Sequence, residues 1–225
     1  MPAGESDRYT PPTLEVRHIA LEGPIGVGKS ALAERLAARL DATLVLEDTE
    51  NPFLADFYAD RPGAGLQAQL FYLLARHRQQ STLRQSDLFS QATICDYMFD
   101  RDKIYAYLNL DDNELFIYQR LFDLLARDVP APDLVIYLQA PTDVLLRRLK
   151  EKSREADTDV FIPDGPYLQE LNEAYHHFFF HYAASPLLVV ETSGFGARPT
   201  DEVVDDLLRQ VEQMAGGTRY YVPRA

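Results

Sequence analysis

Gly23, Pro24, Ile25, Gly26, Val27, Gly28, Lys29 and Ser30 fill the pattern G-x-x-x-x-G-K-[ST] without a gap. Each residue type has a use. Glycines let backbone N–H groups curl round an anion, and a following helix adds its positive end. The lysine reaches terminal phosphates, and the serine hydroxyl is a hard oxygen ligand suited to Mg2+. The chemistry is phosphate binding, and what happens to the phosphate is left open by the loop.

A second set of candidates consists of carboxylates that follow apolar runs. Glu47 ends TLVLE, Asp96 follows ATIC, and Glu22 ends VRHIALE immediately ahead of the glycines. Glu22 has no role that the sequence assigns. A third set is RRLKEKSR, residues 147–154, with five basic residues in eight within an acidic chain. That density reads as a basic lid over the phosphates, which would exclude water as the wrong acceptor.

The elements that must hold these groups are legible from periodicity. The apolar runs at 16–22, 43–47, 92–95, 134–138 and 187–190 read as buried strands. Helical patterns lie between and after them, at 66–80, 113–127, 142–152, 167–182 and 200–214. Strands alternating with such helices predict an α/β fold, a five-stranded parallel sheet with helices on both faces. Ligands of such sheets lie at the carboxyl ends of the strands, where the carboxylates fall. The expected organisation is a flexible segment over 1–14, one domain over 15–215 and a tail over 216–225.

Composition narrows the partners. With 35 acidic and 22 basic residues the net charge is −13, which argues against nucleic acid or an anionic membrane surface as partner. No apolar run approaches the roughly 18 residues of a membrane span. One cysteine, Cys95, permits no internal disulfide, and its strand reads as a burial site; a cytoplasmic setting is expected. His177 and His181 are four apart on a helix but lack the glutamate of a zincin motif, so no metal site is assigned to them.

A GTPase would need N-K-x-D after a later strand, which is missing, and a motor ATPase would need an Asp-Glu pair where this chain has Asp96-Tyr97. With phosphate loop, strand-end carboxylates and basic lid together, the chain resembles the deoxynucleoside kinase family, especially its bacterial deoxyadenosine/deoxyguanosine kinases, from about His18 to Thr192. The resemblance implies a P-loop kinase fold, ATP as phosphate donor, Mg2+, a deoxynucleoside substrate and a homodimer.

It also implies residue roles. Glu47 corresponds to the general base for the 5'-hydroxyl, with Asp48 and Glu50 as neighbouring competitors. Tyr58, Gln69 and Arg76 keep the family's spacings of eleven and seven: tyrosine to the sugar 3'-hydroxyl, glutamine and arginine to the base. Seven residues apart on a helix, Gln69 and Arg76 share a face. Arg148, Lys152 and Arg154 fall on the lid's phosphate-gripping positions, with Arg148 and Arg154 counted as catalytic beside Lys29. Asp157 takes the place of a sugar-binding glutamate, and Phe195 lies in the loop beside the donor base. Ser30 and Asp96 form the implied metal pair.

One motif departs from the family. Where Asp/Glu-Arg-Ser is usual, this chain has Asp96-Tyr97-Met98, so the arginine is missing. Arg101, about one turn later, is the candidate replacement, and Asp100 or Asp102 the candidate partner for Arg76. The expected reaction is ATP-dependent phosphorylation of a purine deoxynucleoside. A thymidylate kinase-like monophosphate kinase and a non-catalytic nucleotide-binding regulator are the alternatives.

Overall fold

The computed structural model describes residues 16–48, 50–86, 92–156, 162–195 and 199–223. Its frame is a parallel sheet of six strands in the order β2-β3-β1-β4-β5-β6. These are β1 (His18–Glu22), β2 (Thr43–Val45), β3 (Thr93–Cys95), β4 (Leu134–Gln139), β5 (Leu187–Glu191) and β6 (Thr218–Tyr221). Leu134 to Leu138 are all buried, so both faces of β4 are covered, as a central strand of a parallel sheet requires.

The sixth strand corrects the reading of 216–225 as a tail. β6 pairs in parallel with β5, Leu187 opposite Thr218 through Val190 opposite Tyr221. Its sequence has no apolar run because an edge strand buries only alternate residues, and its exposure alternates accordingly.

The helices are α1 (Lys29–Leu40), α2 (Leu54–Tyr58), α3 (Ala64–Ser86), α4 (Arg101–Asn109), α5 (Asp112–Leu125), α6 (Thr142–Ala156), α7 (Gly165–Phe180) and α8 (Asp201–Glu212). α1 buries Leu32, Ala33, Leu36 and Ala37 in the core that β1, β4, β5 and α7 share. α5 packs on a second, smaller core with Leu73, Phe99, Ala106, Tyr118 and Phe122. Its start is fixed by a reciprocal cap, Asp111 accepting from Asn113 and Glu114 N–H while Glu114 accepts from Asp111 N–H.

α2 and α4 have no counterpart in the periodicity. α4 buries Arg101 and Asp102 along with Ile104 and Ala106, so charged residues occupy part of its inner face and hide the amphipathic pattern. That inversion marks the site. β1 lies between β3 and β4, so chain connections diverge to either side of it, and the carboxyl ends of β1 and β3 open the crevice.

Candidate active site

The phosphate loop leaves β1 at Gly23, φ +149°, and enters α1 through two further residues at positive φ, Gly26 at +85° and Gly28 at +103°. Both need glycine, Gly26 doubly so: a Cβ there would lie 2.9 Å from Leu149 Cγ and 3.1 Å from the Leu145 carbonyl of α6. Gly28 is the N-cap and supplies no side chain to the first turn of α1, so the helix end is backbone facing the loop. Lys29 folds back over it, donating to the Gly23 carbonyl at 2.7 Å. Burial and the nearby Arg101 pull its ammonium down to about 8, against the attraction of Glu22, Glu47 and Asp96.

Asp96 ties this loop to the next strand ends. One of its oxygens accepts from Ser30 Oγ at 2.6 Å and the other from the Glu47 N–H at 2.7 Å. A serine hydroxyl and a carboxylate in contact form a hard-oxygen pair, and Mg2+ at phosphate sites usually takes one or two such protein ligands. The residues therefore fit that ion.

On the other side of Asp96 lies a cavity of about 390 Å³ lined by Ile25 of the loop, Glu47, Tyr58, Gln69, Tyr72, Arg76, Arg101 and Tyr105, among others. In its wall Glu47 stands between two guanidinium groups. Arg76 bonds one carboxylate oxygen, with Nε at 3.0 Å, and Arg101 bonds the other. Burial alone would raise the Glu47 carboxyl, but Arg101 and Arg76 outweigh it and hold the group at about 2. Arg76 also pairs with Asp102, which is fully buried and takes the Tyr118 hydroxyl at 2.8 Å on its second oxygen. Arg101 donates through Nε to the Tyr175 hydroxyl at 3.1 Å, and its guanidinium lies 5.2 Å from the Tyr105 ring centre. Each of these charges has a partner, which is the condition for burying it.

Most sequence-predicted residues converge here. Gln69 is buried against α4, its amide donating to the Asp102 carbonyl at 3.1 Å, and Tyr58 lies half-exposed at the rim. Glu47 lines the cavity, while Asp48 is exposed and accepts the Glu50 N–H instead. Arg101 reaches Glu47, whereas Tyr97 turns away and hydrogen-bonds Gln79 of α3. The Arg76 partner is Asp102. Asp100 is corrected: it is half-buried and pairs with Lys103 at 2.7 Å.

Arg148 holds the donor side together, bonding the Val27 carbonyl of the loop at 3.3 Å and the Thr192 carbonyl at 2.6 Å. It also bonds the carbonyl of Phe195, which is partly buried against the main core. Lys152 and Arg154 are exposed near the end of α6, and Asp157 lies outside the described residues.

Glu22 is the residue sequence reasoning left without a role. It is fully buried, one oxygen accepting the Met98 N–H at 2.7 Å and the other accepting the Gly23 N–H at 3.2 Å and the Tyr175 hydroxyl at 3.4 Å. Burial pushes its carboxyl up, and Arg101, Lys29 and the Met98 N–H pull it back. Tyr72, Tyr105 and Tyr175 were also missed, since nothing local distinguishes them from core aromatics.

A phosphate loop beside a pocket lined by an ionised carboxylate is the arrangement of a two-substrate phosphotransferase. Residues 19–215 match the sequence profile of the family described as Deoxynucleoside kinase. The chain belongs to the deoxynucleoside kinase family. Among relatives, it is 32% identical over 161 residues to a deoxyguanosine kinase of Bacillus subtilis, covering 70% of this chain and 75% of that protein. It is 34% identical over 172 residues to a deoxyadenosine kinase of Dictyostelium discoideum, covering 74% and 68%. A deoxyadenosine kinase from M. mycoides solved with bound dATP superimposes with a TM-score of 0.66 at 24% identity, covering 85% and 96% of the two chains. That last likeness establishes the same fold.

Proposed function

We propose that this deoxynucleoside kinase transfers the terminal phosphoryl group of ATP to the 5'-hydroxyl of a purine deoxynucleoside, with Mg2+, as a cytoplasmic homodimer. The observation that carries the reading is Glu47, an ionised carboxylate that lines the acceptor cavity and whose N–H donates to the metal-ligand candidate Asp96. The relatives described above, one named for deoxyguanosine and one for deoxyadenosine, support a purine.

In this reading the loop N–H groups and Lys29 hold the donor phosphates, and Lys152 and Arg154 close over them. Gln69 and Arg76 meet the base edge, and Tyr58 meets the sugar. Bound at Ser30 and Asp96, Mg2+ would neutralise charge on the donor phosphates. Glu47 Oε2 accepts from Arg101 alone among the described residues, so a lone pair is left for the 5'-hydroxyl. Held near 2, Glu47 is a weak base. It aligns the hydroxyl first and takes the proton late, as the oxygen acidifies on bonding phosphorus. The same carboxylate would repel an acceptor phosphate, and Arg76 and Arg101 are both already paired, which favours a nucleoside over a monophosphate.

Exposed Phe116, Ile117 and Leu124 on α5 give a second copy of the chain an apolar surface to cover, which supports the dimer. One unpaired cysteine and an ATP requirement suit a cytoplasmic enzyme. The test is a panel of deoxynucleosides and monophosphates with ATP and Mg2+, following phosphorylated acceptor against free phosphate. The expected product is a purine deoxynucleoside 5'-monophosphate. Transfer only to monophosphates, or phosphate release without an acceptor product, would overturn the reading.

A further inference from the structure

Glu22 and Tyr175 stand between the two halves of the site, and neither touches the acceptor cavity. Three donors point at the Glu22 carboxylate: the Met98 and Gly23 N–H groups and the Tyr175 hydroxyl. The single Tyr175 proton is turned toward Glu22, which leaves a hydroxyl lone pair facing Arg101 Nε–H at 3.1 Å. Arg101 is thereby gripped on three edges: Nε by Tyr175, one terminal nitrogen by Glu47 and the other by the Tyr105 hydroxyl at 3.4 Å. On the donor side, Glu22 accepts from the N–H of Gly23, the first residue of the phosphate loop, and the carbonyl of the same residue receives Lys29.

We propose that Glu22 is a positioning residue for phosphoryl transfer: through the Tyr175 hydroxyl and the Arg101 guanidinium it sets the orientation of Glu47 relative to the phosphate loop. The inference rests on the kinase reading above. Its consequence is that donor loop and acceptor carboxylate keep their mutual geometry through one chain of four side chains, Glu22, Tyr175, Arg101 and Glu47. A small misorientation of a reacting group costs turnover more than binding.

The test is a kinetic double-mutant cycle on Glu22→Gln and Tyr175→Phe, both close in shape to the native side chains. Each is expected to lower kcat about tenfold, with KM for nucleoside and ATP within about threefold and little change in thermal midpoint. The double variant should be no worse than the more damaging single one, because both break the same chain. If Glu22→Gln does not fold, Arg101→Lys replaces it in the cycle with the same non-additive expectation. Multiplicative losses, a Tyr175→Phe kcat within twofold of wild type, or a loss confined to KM would overturn the proposal. Wild-type transfer to deoxynucleosides, measured alongside, separates that failure from failure of the kinase reading.

Discussion

The acceptor half and the donor half of this site are built from different materials. Around the cavity the work is done by side chains whose charges are already paired: Glu47 with Arg76 and Arg101, Arg76 with Asp102, Asp102 with Tyr118. Across Asp96, the donor half is mainly backbone: two left-handed glycines, an uncapped helix start and a lysine folded onto the loop's own carbonyls. On the proposed reading the acceptor half has its recognition groups in place before any ligand arrives, whereas the N–H groups and exposed cations of the donor half would gain partners from the phosphates themselves.

If the halves are distinct, single substitutions should damage them separately. Glu47→Gln should have the largest effect, lowering kcat by about 10³ while ATP affinity stays near wild type; a loss confined to ATP binding would erase the distinction. The pH behaviour follows from the same carboxylate. Its folded value of about 2 lies below the ordinary 4.5, so its contribution to stability is complete above 4.5 and is lost as pH falls through 2. Consequently kcat between pH 5 and 7 should show no break due to Glu47, and Glu47→Gln should leave the shape of that profile unchanged.

Next comes the Asp102 pair. Removing one member of a buried ion pair costs about 3–5 kcal/mol, so Asp102→Ala should lower stability in denaturant titrations by that order and raise the acceptor KM. Gly26→Ala strikes the donor half instead. Strain at a left-handed position and contact with Leu149 together cost about 2 kcal/mol, or about 30-fold in KM for ATP, with the acceptor KM unchanged. Smallest of all is Asp100→Ala, which removes a half-exposed pair with Lys103 and should change stability by less than about 1 kcal/mol. Equal effects of Asp100→Ala and Asp102→Ala would contradict the pairing described here.

The donor half was more readable in the sequence than the acceptor half, for a physical reason. A phosphate loop is eight contiguous residues whose types are dictated by local backbone demands, and the strands feeding it are continuous apolar runs. Glu47, Gln69 and Arg76 were reachable through spacing on a strand end and one helix face. The choice between Asp100 and Asp102 was not. Two positions apart at a helix start point about 200° from one another, and only the packing of α4 against α3 fixes the phase. Arg101 was legible as the candidate for the arginine missing at Tyr97, and α4 brings it to the cavity beside Glu47. Glu22 was illegible because its partners are far off in sequence, Met98 at a separation of 76 and Tyr175 at 153. In β6 an edge strand with alternating exposure looked like a tail.

On the proposed reading the acceptor half is complete without the donor. Calorimetric titration of deoxyadenosine and deoxyguanosine into the nucleotide-free enzyme, repeated with a non-transferable ATP analogue and Mg2+, tests it directly. Saturable binding of a purine deoxynucleoside is expected in both titrations, with Kd values within about threefold of one another. Binding that appears only once the analogue is present would contradict it.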